Sequence, residues 1–202
     1  MSGFKGKVFL MALMGALIAA PASAATISVL AGAVIIDGSD LTTVGSGADP
    51  WLLSEHLGSQ AILQFSTEGD ETNPLVSNTT GSVHTYGKWL RKTVVNATSE
   101  NWTSFELELQ VTPGTPSLDG DGLSFAQGSG FEGSFLSDRF ATYSAIQDIR
   151  DYLNFHDGVV APGESVTFMF AMTDTVDRAD FFLLQSPNLR EVQAVPEPAS
   201  LL

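Results

Sequence analysis

The chain of 202 residues contains no cysteine. Without disulfides, a folded body must be held together by its hydrophobic core, and the chain is long enough to build one. The absence of thiols also excludes a cysteine nucleophile and every zinc or iron–sulfur site that needs cysteine ligands.

Basic residues are scarce. There are 9 lysines and arginines against 23 aspartates and glutamates, which gives a net charge of −14. Because binding to nucleic acid or to an anionic membrane begins with clustered Lys and Arg, this balance predicts no nucleic-acid partner. An acidic surface favours solubility, and it could also attract calcium or a cationic polymer. The apolar share of 44% is too high for a chain that is disordered throughout.

The first residues of the chain have the organisation of a secretory signal peptide. Lys5 and Lys7 supply a positive region, and residues 8–20 form an apolar stretch that is too short to span a membrane stably. We therefore expect export through the Sec translocon.

A cleavage site follows this apolar stretch. Ala22 and Ala24 complete an A-x-A pattern, so we expect signal peptidase to remove residues 1–24 and to leave Ala25 as the mature N-terminus, with Thr26 as the next candidate. Loss of the two leader lysines leaves 7 basic against 23 acidic residues, a net charge of −16.

The body of the chain has the pattern of β-strands separated by turns. In residues 102–111, apolar residues at every second position alternate with Glu106, Glu108 and Gln110, which predicts a strand with one buried and one wet face. Further predicted strands cover residues 26–30, 61–65, 82–86, 89–95, 122–126, 140–145, 152–155, 165–172 and 179–185.

Two of these segments are apolar on both faces. Residues 165–172 are therefore predicted to lie centrally in a sheet, and residues 179–185 are predicted to pair with them across the turn at 173–178. Residues 49–57 fit a short helix or a surface loop, and residues 144–152 fit a helical turn.

Many short strands between Gly, Pro, Asn and Asp clusters predict an all-β protein. We expect one domain over residues 25–193, with a β-sandwich or jelly-roll-like fold. The leader at 1–24 and a Pro-rich tail at 194–202 flank it.

Candidate sites in this domain are few. Asp119 and Asp121 stand one residue apart in a Gly-rich loop and could direct oxygen ligands at calcium, although no EF-hand pattern follows and a solvated turn explains the same residues. Glu106 and Glu108 share a strand face, as paired glycosidase carboxylates can, but an acidic solvent face is the simpler interpretation. The run at 128–133 spells G-x-G-x-x-G outside any strand–helix context, which favours a loop.

Aromatic residues offer a further possibility. Trp51, Trp89 and Trp102 could stack on sugar rings, although burial in the core is the commoner fate of tryptophan in a sandwich.

The C-terminal tail carries the most specific motif. Val195, Pro196, Glu197 and Pro198 form a segment that is unable to join a helix or a central strand. Together with the apolar residues that follow, this segment resembles the start of the PEP-CTERM sorting signal of Gram-negative bacteria, which exosortase recognises and processes. The resemblance implies that the gene continues past Leu202 with about 20 apolar residues and a basic cluster.

The same resemblance implies a role for the protein. Members of this group are exported, pass through transient inner-membrane anchoring when the full signal is present, and reach the cell surface or extracellular matrix. We expect a non-enzymatic protein associated with exopolysaccharide and biofilm. A carbohydrate-binding module and a polysaccharide-degrading enzyme are the alternatives.

Overall fold

The computed structural model describes residues 25–67, 84–118, 120–125, 135–146 and 150–188. These residues form a single all-β domain, and they contain no helix. Consequently, no helix in these ranges is long and apolar enough to cross a membrane. The strands are β1 (Thr26–Asp40), β2 (Trp51–Ser66), β3 (Tyr86–Asn96), β4 (Trp102–Thr112), β5 (Thr115–Pro116), β6 (Ser124–Phe125), β7 (Leu136–Ser137), β8 (Phe140–Ile146), β9 (Tyr152–Val160), β10 (Ser165–Asp174) and β11 (Asp180–Pro187).

The strands form one mixed sheet that curls strongly into a half-barrel. Its hydrogen-bonded order is β6-β10-β3-β2-β11-β4-β9-β8, while β1 pairs with β2, β5 with β4 and β7 with β10. The pairing of β2 with β3 is parallel and the other pairings are antiparallel.

The two halves of strand β2 pair with different strands, and the sheet turns a corner between them. Residues 51–57 of β2 pair with β3, whereas residues 61–66 pair with β11, and β1 follows the opposite edge along both halves. Gly32 of β1 lies at the junction with φ of 91°, and a Cβ there would come within 2.1 Å of the Gln60 carbonyl oxygen. Only glycine fits this corner, because other residues would meet both backbone strain and a steric clash.

The curl brings strands from distant places in the sheet order into contact. The ring of Phe168 on β10 lies 4.7 Å from that of Phe105 on β4 and 4.8 Å from that of Phe155 on β9. Three strands separate β10 from β4 in the sheet, so these rings meet across the interior. Aromatic residues therefore join the two ends of the sheet into one core.

Residues 51–57 of segment 49–57 belong to strand β2, so neither a short helix nor a surface loop describes this segment. Trp51, Leu53, Glu55 and Leu57 all point inward and are buried. Glu55 interrupts the apolar residues at every second position, so the sequence pattern did not predict a strand. The structure shows that its carboxylate is buried together with these apolar residues.

Segment 144–152 is also not a helical turn where it is described. Strand β8 continues to Ile146 and β9 begins at Tyr152, and the two pair with each other up to those residues. The two apolar residues three apart, Ile146 and Ile149, suggested a helix. The backbone of Ile146 is extended because this residue pairs with Tyr152 of β9. Ile149 lies outside the described residues.

The predicted pairing of segments 165–172 and 179–185 is wrong as well. Strand β10 pairs with β3, β6 and β7, while β11 lies between β2 and β4. Both strands are central, as their apolar faces predicted, but the turn between them carries the chain from one side of the curled sheet to the other.

Candidate functional site

A cleft of about 510 Å³, counting space open to solvent, lies where the ends of β3, β10 and β11 meet. Tyr86, Lys88, Asp177 and Phe181 line it together with several aliphatic side chains. One phenol ring, apolar walls and a few polar groups at the rim are the usual features of a small-molecule or sugar subsite.

An ion pair fixes one wall of this cleft. The Arg178 guanidinium donates from Nε to Asp174 Oδ2 at 2.5 Å and from Nη2 to the Asp121 carbonyl oxygen at 2.9 Å. The Val176 amide also donates to Asp174 Oδ1. Because these bonds tie the 175–179 turn to the loop before β6, the wall is held rigidly by charge-assisted hydrogen bonds.

His84 lies buried beside the cleft wall. Its Nδ1 atom is 3.2 Å from the Thr173 hydroxyl. Burial lowers the pKa of His84, and the nearby Asp174 carboxylate raises it by a smaller amount. The ring is therefore neutral at neutral pH.

The candidate calcium loop is only partly described, because Asp119 lies outside the described ranges. The Asp121 carboxylate accepts hydrogen bonds from Ser117 Oγ at 2.9 and 3.0 Å, from the Leu118 amide at 2.9 Å and from the Leu123 amide at 3.0 Å. Asp121 thus closes a turn with its own carboxylate. Among the residues that the structure describes, no group of three or more Asp, Glu or His side chains could hold a metal.

Glu106 and Glu108 are not on a wet face, which corrects the expectation from their alternation. They point away from the core but are only 4% and 5% exposed. Arg150 Nη2 contacts a carboxylate oxygen of each, at 2.6 Å for Glu108. The guanidinium also lies 4.4 Å from the ring centroid of Tyr152, and Gln110 donates to Glu108 Oε1 at 2.8 Å.

The single positive charge of Arg150 compensates one of the two negative charges. Its Nη2 atom carries two N–H donors and contacts both carboxylates. Neither glutamate lines the cleft at β3, β10 and β11. The paired acids therefore form an ion cluster on the outer face of β4.

The three tryptophans are core residues. Trp51, Trp89 and Trp102 are 0%, 7% and 1% exposed. The Trp51 ring stacks near Phe65, with 6.3 Å between centroids, and Trp102 donates from Nε1 to the Thr98 hydroxyl. None of them offers a free face to a sugar ring.

Several predicted features lie outside the described residues. These are the leader with Ala22 and Ala24, the Gly-rich run at 128–133, and the sorting motif at 195–198. Ala25, the predicted mature N-terminus, is described and buried, and it directly precedes β1.

One polar pair was missed by sequence reasoning. Glu55 of β2 and Lys92 of β3 meet inside the core with both side chains 0% exposed. The sequence contains a pattern that indicates this. Glu55 lies two residues from both Leu53 and Leu57, and Lys92 lies two residues from both Leu90 and Val94, so each charge shares a strand face with apolar residues. Reading segment 49–57 as a strand would have placed both charges on inward faces.

Comparison of the chain with protein-family models, with curated proteins and with solved structures found no match.

Proposed function

We propose that this chain is an exported, non-enzymatic protein of the cell surface or extracellular matrix, sorted through its PEP-CTERM-like tail. The observation that carries the proposal is that the described β-domain lies between the two segments for which the sequence predicts a trafficking role. Strand β1 begins at Thr26, two residues after the predicted cleavage position, and β11 ends at Pro187, before the sorting motif. Processing at both ends therefore cuts none of the described strands.

The domain itself suits an extracellular location without disulfides. Its core is rich in aromatic rings that meet across the curl of the sheet. These contacts support a β-sandwich or jelly-roll-like body in which the two sides of the curled sheet act as facing layers.

The placement of charges favours a binding or structural role over polysaccharide degradation. A glycosidase needs two carboxylates that face a substrate cleft. Glu106 and Glu108 are instead held by Arg150 on the outer face of β4.

The cleft at β3, β10 and β11 supports the association with exopolysaccharide. Tyr86 supplies a ring face, while Lys88, Asp177 and Thr67 supply polar groups around it. The strongly acidic surface repels anionic polymers, so the preferred partner is a neutral or amino-bearing polysaccharide.

Sorting is tested with the full-length gene in a Gram-negative host that has exosortase. Glu197→Gln and the double change Pro196→Ala with Pro198→Ala should leave the protein unprocessed at the inner membrane. Glu191→Gln, an equivalent change just outside the motif, should be processed normally. Equal processing in a strain that lacks exosortase would contradict the proposal.

Polysaccharide binding is tested by co-sedimentation of the secreted domain with the host's purified exopolysaccharide. Tyr86→Ala should reduce binding about 10-fold or more, since loss of an aromatic contact costs about 1–3 kcal/mol. Tyr143→Ala removes a tyrosine outside the cleft and should bind normally. Absence of wild-type binding to neutral and amino-bearing polymers alike would refute this part.

A further inference from the structure

The interior of the sheet contains a charged pair in an unusual setting. Glu55 and Lys92 lie on adjacent parallel strands, where Leu53 pairs with Lys92 and Glu55 with Val94. Phe168 of β10 is the register partner of Lys92 on its other side. Both side chains point into the hydrophobic core and neither has any exposed area.

The pair is poorly satisfied for buried ions. Lys92 Nζ is 2.7 Å from Glu55 Oε2. Among the described residues, no further side chain or backbone group forms a hydrogen bond with Nζ or with either Glu55 oxygen. Two full charges in a dry interior are costly unless hydrogen bonds surround them, so the neutral amine and carboxylic acid become competitive.

The pKa of Lys92 is also shifted in favour of the neutral amine. Burial lowers the pKa of Lys92, and the adjacent Glu55 carboxylate only partly opposes this shift. A neutral amine is a nucleophile, whereas an ammonium ion is not.

We propose that Lys92 and Glu55 condense into an intramolecular isopeptide bond that joins β2 to β3. Transfer of the ammonium proton to the carboxylate gives a neutral amine and a carboxylic acid. The lone pair of Nζ then attacks Cδ of Glu55, forming the N–C bond. The C–OH bond breaks, and the hydroxyl leaves as water with a proton from the nitrogen. The net change is loss of one water molecule, with no oxidant, reductant or cofactor.

The geometry favours this step. The carboxyl carbon is at most one bond further from Nζ than the contacting oxygen, which approaches the separation of about 3–3.5 Å for a near-attack arrangement. Well-oriented intramolecular reactions reach effective molarities of about 10⁵–10⁸ M, which corresponds to a barrier lower by about 7–11 kcal/mol than for separate molecules. The product also replaces two buried charges by one neutral amide.

The link would serve the role that disulfides have in other exported domains. The chain has no cysteine, and β2 and β3 form the parallel pairing of the sheet at its corner. A covalent bond there would close the connection between the two strands and reduce the entropy of the unfolded chain.

The direct test is the intact mass of the purified, fully denatured wild-type protein. We expect a mass lower by one water than the mass calculated for the chain with its mature N-terminus. Trypsin should yield a branched peptide in which the peptide ending at Lys88 is joined to the peptide spanning 92–139. Cleavage after Lys92 should fail, because an acylated lysine carries no charge for trypsin to recognise.

Variants locate the link. The double variant Glu55→Met with Lys92→Met removes both reacting groups without leaving an unpaired buried charge, and it should show the full calculated mass. Lys88→Met, which removes a neighbouring lysine of the same strand, should retain the loss of water.

Three results would overturn the proposal. The first is a wild-type protein with the full calculated mass. The second is a water loss that maps to an Asp–Gly pair such as Asp157-Gly158, since cyclisation there has the same mass but reverses on mild alkaline hydrolysis. The third is a loss of ammonia with a branch at Gln185, which would identify that buried carboxamide as the electrophile instead.

Discussion

Two carboxylate–cation groups lie on opposite faces of the same curled sheet, and they are satisfied very differently. On the outer face of β4, one guanidinium bridges Glu106 and Glu108, rests against a tyrosine ring and keeps 29% of its side chain exposed. In the core, Lys92 faces Glu55 alone, with no exposure.

The difference shows how cation type and depth decide what a buried charge does. Arginine offers several donors in a plane and remains charged, so the outer group is a stable structural cluster. Lysine offers a point charge that readily loses its proton when buried, so the inner group is poised for neutralisation and reaction.

The largest effect is expected from breaking the inner pair on one side only. Lys92→Met leaves the Glu55 carboxyl without a partner in the core, so the free energy of unfolding should fall by about 3–5 kcal/mol. Urea unfolding followed by fluorescence measures this. The double variant Glu55→Met with Lys92→Met should be more stable than Lys92→Met, because it has no unpaired carboxyl group, but less stable than the wild type with its covalent link. Equal stability of the two variants would contradict the buried-charge explanation.

Removing the outer cation should cost less. Arg150→Met leaves two carboxylates side by side, but the partly exposed guanidinium is what covers them and its loss opens them to solvent. We therefore expect a loss of about 1–3 kcal/mol at neutral pH. Arg139→Met is the matched control, because its 4.0 Å contact with Glu164 is exposed and its removal should change stability by less than about 0.5 kcal/mol.

The carboxylate of Asp121 sharpens the comparison, because a hydroxyl group and two backbone amides, not a cation, donate hydrogen bonds to it. Asp121→Asn should lower the free energy of unfolding by about 0.5–1.5 kcal/mol through weaker turn hydrogen bonds. The exposed Asp177→Asn serves as control and should be nearly neutral. Because the turn already uses both carboxylate oxygens, calcium at about 10 mM should not raise the wild-type melting temperature. A calcium-dependent rise that is absent from Asp121→Asn would instead establish the metal site.

The smallest effect concerns His84, a buried base whose pKa is lowered by its burial. Its pKa is lowered from 6.5, so the unfolded state binds more protons than the folded state just below that pH. Its contribution to stability is therefore complete above pH 6.5 and is lost as the pH falls below it. Urea midpoints should fall less steeply over this window in His84→Gln than in wild type. If the urea midpoints of both proteins changed equally with pH, His84 would not be the group responsible.

The alternation of apolar and polar residues predicted the all-β class. Where predictions from this alternation were wrong, the cause was a buried charge whose partner lies elsewhere in the chain. Segment 165–172 was recognised as central because both of its faces are apolar. Segment 49–57 was not recognised because Glu55 interrupts its inward series, and the partner that makes this burial possible lies on another strand. Likewise, the outward position of Glu106 and Glu108 was predicted, but their burial depends on two residues from another part of the chain. These are Tyr152, the first residue of β9, and Arg150, two residues before it.

The sequence alone determined the strand-rich class, the acidic surface without disulfides, and the predicted trafficking segments at both ends. These properties depend on composition and on local order along the chain. The tertiary structure decided which strands pair, the corner at β2, the cleft, and the meeting of Glu55 with Lys92. These features depend on contacts between residues distant in sequence, and period-two alternation says which face a side chain occupies but not what lies opposite it.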